Sequence, residues 1–66
     1  MRVYISRQRA RSFGPLCYRK AKNGYMMLVT HMGQTWWMGN TINHGFYLYP
    51  FNANKGQSEQ LSDMVA

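Results

Sequence analysis

The sequence predicts an all-β protein: one small antiparallel sheet of four or five short strands, open or partly closed as an SH3-like or OB-like barrel, with a short C-terminal helix. Three observations carry this expectation. Between Asn23 and Phe51 the apolar residues come in short bursts, Tyr25 to Val29, Trp36 to Met38 and Phe46 to Phe51. The steps Asn23-Gly24, Met32-Gly33 and His44-Gly45 separate them, which is how tight turns punctuate strands. Aromatic and β-branched residues recur within the bursts and suit a pleated, half-buried surface.

Taken in order, Arg2 to Arg7 reads as a first strand with Val3 and Ile5 facing one way and Tyr4 the other. Arg7, Arg9 and Arg11 follow at a spacing of two, which an extended backbone would bring to one side as an arginine arm. An edge strand protected by its charges is the competing reading. Phe13-Gly14-Pro15 ends the segment, since Pro15 has no amide hydrogen for a ladder. Leu16 to Lys22 reads as the second strand, turned back through Asn23-Gly24 in a type I′ hairpin. Pairing through that turn sets Lys22 opposite Tyr25, Lys20 opposite Met27, Arg19 opposite Leu28 and Tyr18 opposite Val29.

A two-residue turn at Met32-Gly33, where a three-residue loop fits nearly as well, then sets His31 against Gln34, Thr30 against Thr35, Val29 against Trp36 and Leu28 against Trp37. The two registers together put Tyr18, Met27, Val29, Trp36 and Met38 on a core face. Cys17, Arg19, Leu28, Thr30, Thr35 and Trp37 fall on a half-exposed second face. Gly39 to Gly45, with Asn40, Thr41, Ile42 and Asn43, reads as a loop or bulged crossover. Phe46 to Phe51 is a final strand, Phe46 and Leu48 on one side and Tyr47, Tyr49 and Phe51 on the other, ended by Pro50. Asn52 to Gln57 is a polar linker. Ser58 is placed to cap a short helix with Glu59 in its first turn, and Leu61, Met64 and Val65 would pack it against the sheet.

Sixty-six residues are read as one domain, 1–66: a basic N-terminal strand or arm (1–14), a sheet core (15–51), and a polar linker with a short helix or tail (52–66). A domain this small hides only about 60% of the surface its unfolded chain exposes, and its core seldom supplies more than about 3–5 kcal/mol. Cys17 is the single cysteine, so no internal disulfide supplements that core, and a lone thiol suits a reducing, cytoplasmic setting. The longest uninterrupted apolar run is Tyr25 to Val29, too short to span a membrane.

Charge is the most lopsided property. Eight Lys and Arg face two acids, Glu59 and Asp63, so no carboxylate side chain occurs between Met1 and Ser58. A basic half without internal acids offers its field to a phosphate backbone or an acidic protein surface. Catalytic chemistry finds little support. The two carboxylates share one short terminal segment. Cys17, His31 and His44 lack both the flanks of a nucleophile turn and the close ligand pairs of a zinc site. A ribonuclease using His31 or His44 with Arg19 is a minor alternative. No cofactor motif is present.

The expected function is therefore non-catalytic nucleic-acid binding, with single strands or RNA favoured. Arg7, Arg9, Arg11, Arg19, Lys20 and Lys22 would contact phosphates while Trp37, Tyr47 and Tyr49 stack on bases. The alternative is a small inhibitor or accessory module that docks on an acidic or nucleic-acid-binding surface of a larger enzyme, because exposed Trp, Tyr and Arg also make protein hot spots. A homodimer paired through edge strands is the third reading. Of the two tryptophans, Trp36 is assigned to the core and Trp37 to the binding face.

Overall fold

The computed structural model describes residues 2–41 and 45–65. In chain order these form β1 (Val3–Ser6), α1 (Arg7–Arg11), α2 (Pro15–Lys22), β2 (Met27–His31), β3 (Gln34–Asn40), β4 (Gly45–Pro50) and α3 (Gln57–Val65). The strands make one antiparallel sheet in the order β1-β4-β3-β2. β1 and β2 are its edges, and no pairing between them closes a barrel.

The register expected from Met32-Gly33 is the observed one: Val29 pairs with Trp36 and Leu28 with Trp37. Met32 (φ 54°) and Gly33 (φ 73°) both sit in the left-handed region, as a type I′ turn demands. Strand β4 divides as expected, Phe46 and Leu48 at 1% and 0% exposure on one face, Tyr47 and Tyr49 on the other. It lies between β1 and β3 rather than at an edge. The Thr41 amide and hydroxyl both donate to the Gly45 carbonyl, at 3.1 and 2.8 Å. β3 and β4 are therefore a hairpin, not a bulged crossover. Ile42, Asn43 and His44 lie outside the described residues.

Two expected extended segments are helical. The stretch Leu16 to Lys22 belongs to α2, which starts with Pro15 at its first position, where a missing amide hydrogen costs nothing. Asn23-Gly24 is its stop signal rather than a hairpin turn. Gly24 takes φ 99° and its amide donates to Ala21 O (3.1 Å), while the Tyr25 amide reaches back to Lys20 O (3.0 Å). This is a Schellman motif, and it needs a residue with positive φ just past the helix end as much as a type I′ turn does. The pairings of Lys22, Lys20, Arg19 and Tyr18 with β2 consequently do not form.

The arginine run is α1, not an extended arm. Ser6 caps it by accepting from the Arg9 amide at 3.2 Å. Arg9 and Arg11 sit in its last turn, where cations suit the helix dipole.

Both helices cover one face of the sheet. Ala10 of α1 and Ala21 of α2, each at 0% exposure, meet Ile5, Val29, Trp36, Met38, Phe46 and Leu48 in one cluster, with Phe13, Cys17, Tyr18 and Met27 packed against it. Alanine at the contact points lets short helices approach closely. Full burial of a side chain such as Phe46, Met38 or Leu48 contributes about 1.5–3 kcal/mol.

The opposite face is partly covered by α3. Gln60 is its anchor at 5% exposure. Its Oε1 accepts from Trp37 Nε1 (3.1 Å) and from the Asn52 amide (2.7 Å), and its Nε2 donates to Lys55 O (2.8 Å). Trp37 is thereby 4% exposed and belongs to the interior, which corrects its assignment to a half-exposed face. Leu61 and Met64 are half-buried as a docked helix requires; the Val65 side chain lies outside the described set. Glu59 stands in the first turn of α3. Ser58 is inside the helix and not its cap.

Candidate functional site

The helical layer gathers the cations. α1 presents Arg7 and Arg11 one turn apart on one side and Arg9 on the other, because residues four apart share a helix face and residues two apart do not. On α2, Cys17, Tyr18 and Ala21 turn inward and Arg19, Lys20 and Lys22 outward, and these three occupy the last turn. Where the helices meet, Arg11, Pro15, Tyr18, Arg19 and Lys22 line a groove of about 410 Å³. The Arg11 guanidinium carbon lies 5.1 Å from the Tyr18 ring centre, a cation–π contact that directs the arginine toward α2. Asn40 Nδ2 donates to Lys22 O at 3.2 Å and ties the end of α2 to β3. Three cations and one partly buried ring thus line the same groove. Arg9 stands apart, beside Ser6, Gln8 and Ser12.

Tyr47 and Tyr49 are on the far side of the sheet. There Tyr4, Tyr47 and Tyr49 form a ladder of edge-on rings, Tyr4 to Tyr47 at 5.7 Å and Tyr47 to Tyr49 at 6.2 Å between centres. Arg2 lies over Tyr47 at 4.3 Å. Tyr4 is 55% exposed. Neighbouring Gly39 lies beneath the end of the Met26 side chain, whose Sδ would have to shift to admit a Cβ there.

Between this face and α3 runs a cleft of about 560 Å³ whose lining includes Arg2, Tyr49, Phe51, Lys55, Asp63 and Met64. Lys55 Nζ donates to Asp63 Oδ2 across it at 2.7 Å. That hydrogen bond, with the charge of Asp63 behind it, holds the Lys55 ammonium above its ordinary pKa. Burial raises the Cys17 thiol in the same direction by disfavouring the thiolate.

The residues proposed from the sequence therefore separate into three places. Arg11, Arg19 and Lys22 converge, with Arg7, Arg9 and Lys20 on the same helical layer; Tyr47 and Tyr49 lie across the sheet; Trp37 is internal. The sequence reading missed Tyr18 as the ring beside the cations and Arg2 as the cation on the tyrosine ladder. Both had a signal: Tyr18 is one position from Cys17 and three from Ala21 on a helix face, and Arg2 shares strand parity with Tyr4. His31 packs edge-on against Phe13, with ring centres 6.0 Å apart. His44 lies outside the described residues.

Comparison with protein-family models, with curated proteins and with solved structures finds no significant match for this chain. What the geometry defines is an open four-stranded antiparallel sheet with a basic two-helix layer on one face and an aromatic surface, partly closed by a third helix, on the other. Among the described residues no helix is long and apolar enough to cross a membrane.

Proposed function

We propose that this is a non-catalytic nucleic-acid-binding protein that uses the α1–α2 layer to hold the phosphate backbone. The observation carrying this reading is the groove in which Arg11, Arg19 and Lys22 come together beside Tyr18, on the sheet face away from Glu59 and Asp63 of α3. Segregating the acids across the sheet leaves the helical layer strongly positive, the electrostatic footprint of a phosphate binder. A preference for single strands or RNA requires rings and cations acting together. With Tyr47 and Tyr49 across the sheet and Trp37 buried, the helical layer is a phosphate-contacting surface without a base-stacking platform, which suits a duplex.

Fluorescence anisotropy with a duplex of about 20 base pairs and its separate strands tests the proposal. Neutralising about six phosphates should cost roughly 10³ in affinity between about 50 and 200 mM salt. Replacing Arg11, Arg19 and Lys22 together by Ala should weaken binding and lower the salt slope by up to about three. Absence of binding at the lower salt, or an unchanged slope in the triple variant, refutes it.

A second reading has its own observation. The surface of Tyr4, Tyr47, Tyr49 and Arg2 has the composition of a protein-interface hot spot, and a protein partner docking there would leave the basic layer free to act on a second surface. A stoichiometric partner that survives nuclease and high salt, and is lost in Tyr47→Ala, would favour this reading over the first.

A further inference from the structure

We propose that Met32, at the tip of the β2–β3 hairpin, is a wedge that enters between base steps of a duplex and kinks it. The inference rests on the nucleic-acid reading of the α1–α2 layer and narrows its partner to double-stranded nucleic acid.

Met32 is 87% exposed. It is also, among the described residues, the one non-glycine residue with positive φ, at 54°. The left-handed region disfavours an unbranched apolar side chain and admits Asn, Asp or Gly, so folding alone would be better served by one of those at this turn. An apolar side chain held in a strained backbone and projected into water is the combination from which a functional role is inferred.

The tip stands on a rigid base. Trp36 Nε1 donates to His31 O at 3.0 Å, and the His31 ring packs edge-on against Phe13 at 6.0 Å. Phe13 lies in the turn joining α1 to α2, so the hairpin tip is braced directly against the basic layer. The tip residues Thr30, Gln34 and Thr35 are exposed and uncharged, so no carboxylate there repels a phosphate backbone. The longest dimension of the molecule, 30 Å, is shorter than the roughly 34 Å of one duplex turn. The helical layer and the tip are therefore close enough to fall within one duplex turn. Methionine is among the side chains that proteins insert between base steps, kinking the duplex by about 20–90°.

The test uses the full chain and a duplex of about 20 base pairs with donor and acceptor dyes at its ends. Wild-type protein should raise energy transfer on binding, and should prefer a duplex carrying a central mismatch, where unstacking is already partly done, by about tenfold. Met32→Asn fits the turn better than Met32 does, so it should fold, bind the intact duplex within about threefold of wild type through the unchanged phosphate contacts, and lose both bending and mismatch preference. Met32→Gly should behave alike, and Met32→Leu should keep both properties. Bending and preference unchanged in Met32→Asn, or wild-type binding without bending, overturns the wedge while leaving the phosphate-binding layer standing. Absence of any wild-type binding overturns both.

Discussion

Replacing Gln60 by Leu, nearly the same size but without hydrogen-bonding atoms, should detach α3 and cost about 2–4 kcal/mol. The side chain satisfies two donors and one acceptor, Trp37 Nε1, the Asn52 amide and Lys55 O. The indole N–H is buried with Trp37 at 4% exposure; leaving such a donor unpaired costs about 1–3 kcal/mol. The two backbone groups are only part-buried, and water can recover most of their loss, so about 0.5 kcal/mol each is added.

Against a small core worth about 3–5 kcal/mol, this approaches the whole stability. It corresponds to a fall in Tm of roughly 10–25 °C for a domain of this size. A helix the length of α3 is marginal in isolation, so the first event should be local. Tryptophan emission should shift to the red as Trp37 is uncovered, and α3 amides should exchange faster than those of β3 and β4. An emission maximum and midpoint unchanged in Gln60→Leu would refute the idea that Gln60 holds α3.

Other expectations follow from the same packing. Trp37→Ala should destabilise by about 3–5 kcal/mol, in contrast to the mild effect expected when Trp37 is placed on an exposed face; a denaturant midpoint within experimental scatter of wild type would contradict its burial. Met32→Asn should raise stability by about 1 kcal/mol by relieving the left-handed strain, read as a higher Tm by circular dichroism. Because the Lys55 pKa is raised in the folded state, the contribution of its pairing with Asp63 is complete below the ordinary lysine range and is lost as pH rises through the raised value. The raised Cys17 thiol should react with a disulfide reagent at about pH 8 more slowly than in denatured protein, the thiolate being the attacking form.

How much of this was legible in the sequence depends on the range over which each signal acts. The β2–β3 register followed from Met32-Gly33 because a two-residue turn leaves one way to pair its flanks, and the sidedness of β1 and β4 followed from the period-two alternation of Val3, Ile5, Phe46 and Leu48 against Tyr4, Tyr47 and Tyr49. The concentration of cations before Lys22 and of acids after Ser58 was equally plain.

Asn23-Gly24 was ambiguous, since a positive-φ glycine ends a helix as readily as it turns a hairpin. Pro15 ahead of it, with Cys17, Tyr18 and Ala21 at helical spacing, held the evidence for the helix. The fate of Trp37 was not written locally at all. Alternation assigns it to the second face, and only the return of α3 with Gln60, from the far end of the chain, makes that face interior. The same holds for the cations: their number is a property of the sequence, but that Arg11, Arg19 and Lys22 meet beside Tyr18 while Tyr47 and Tyr49 face the other way depends on two helices packing on one side of a sheet, which is a tertiary decision made by the burial of Ala10 and Ala21 against its core.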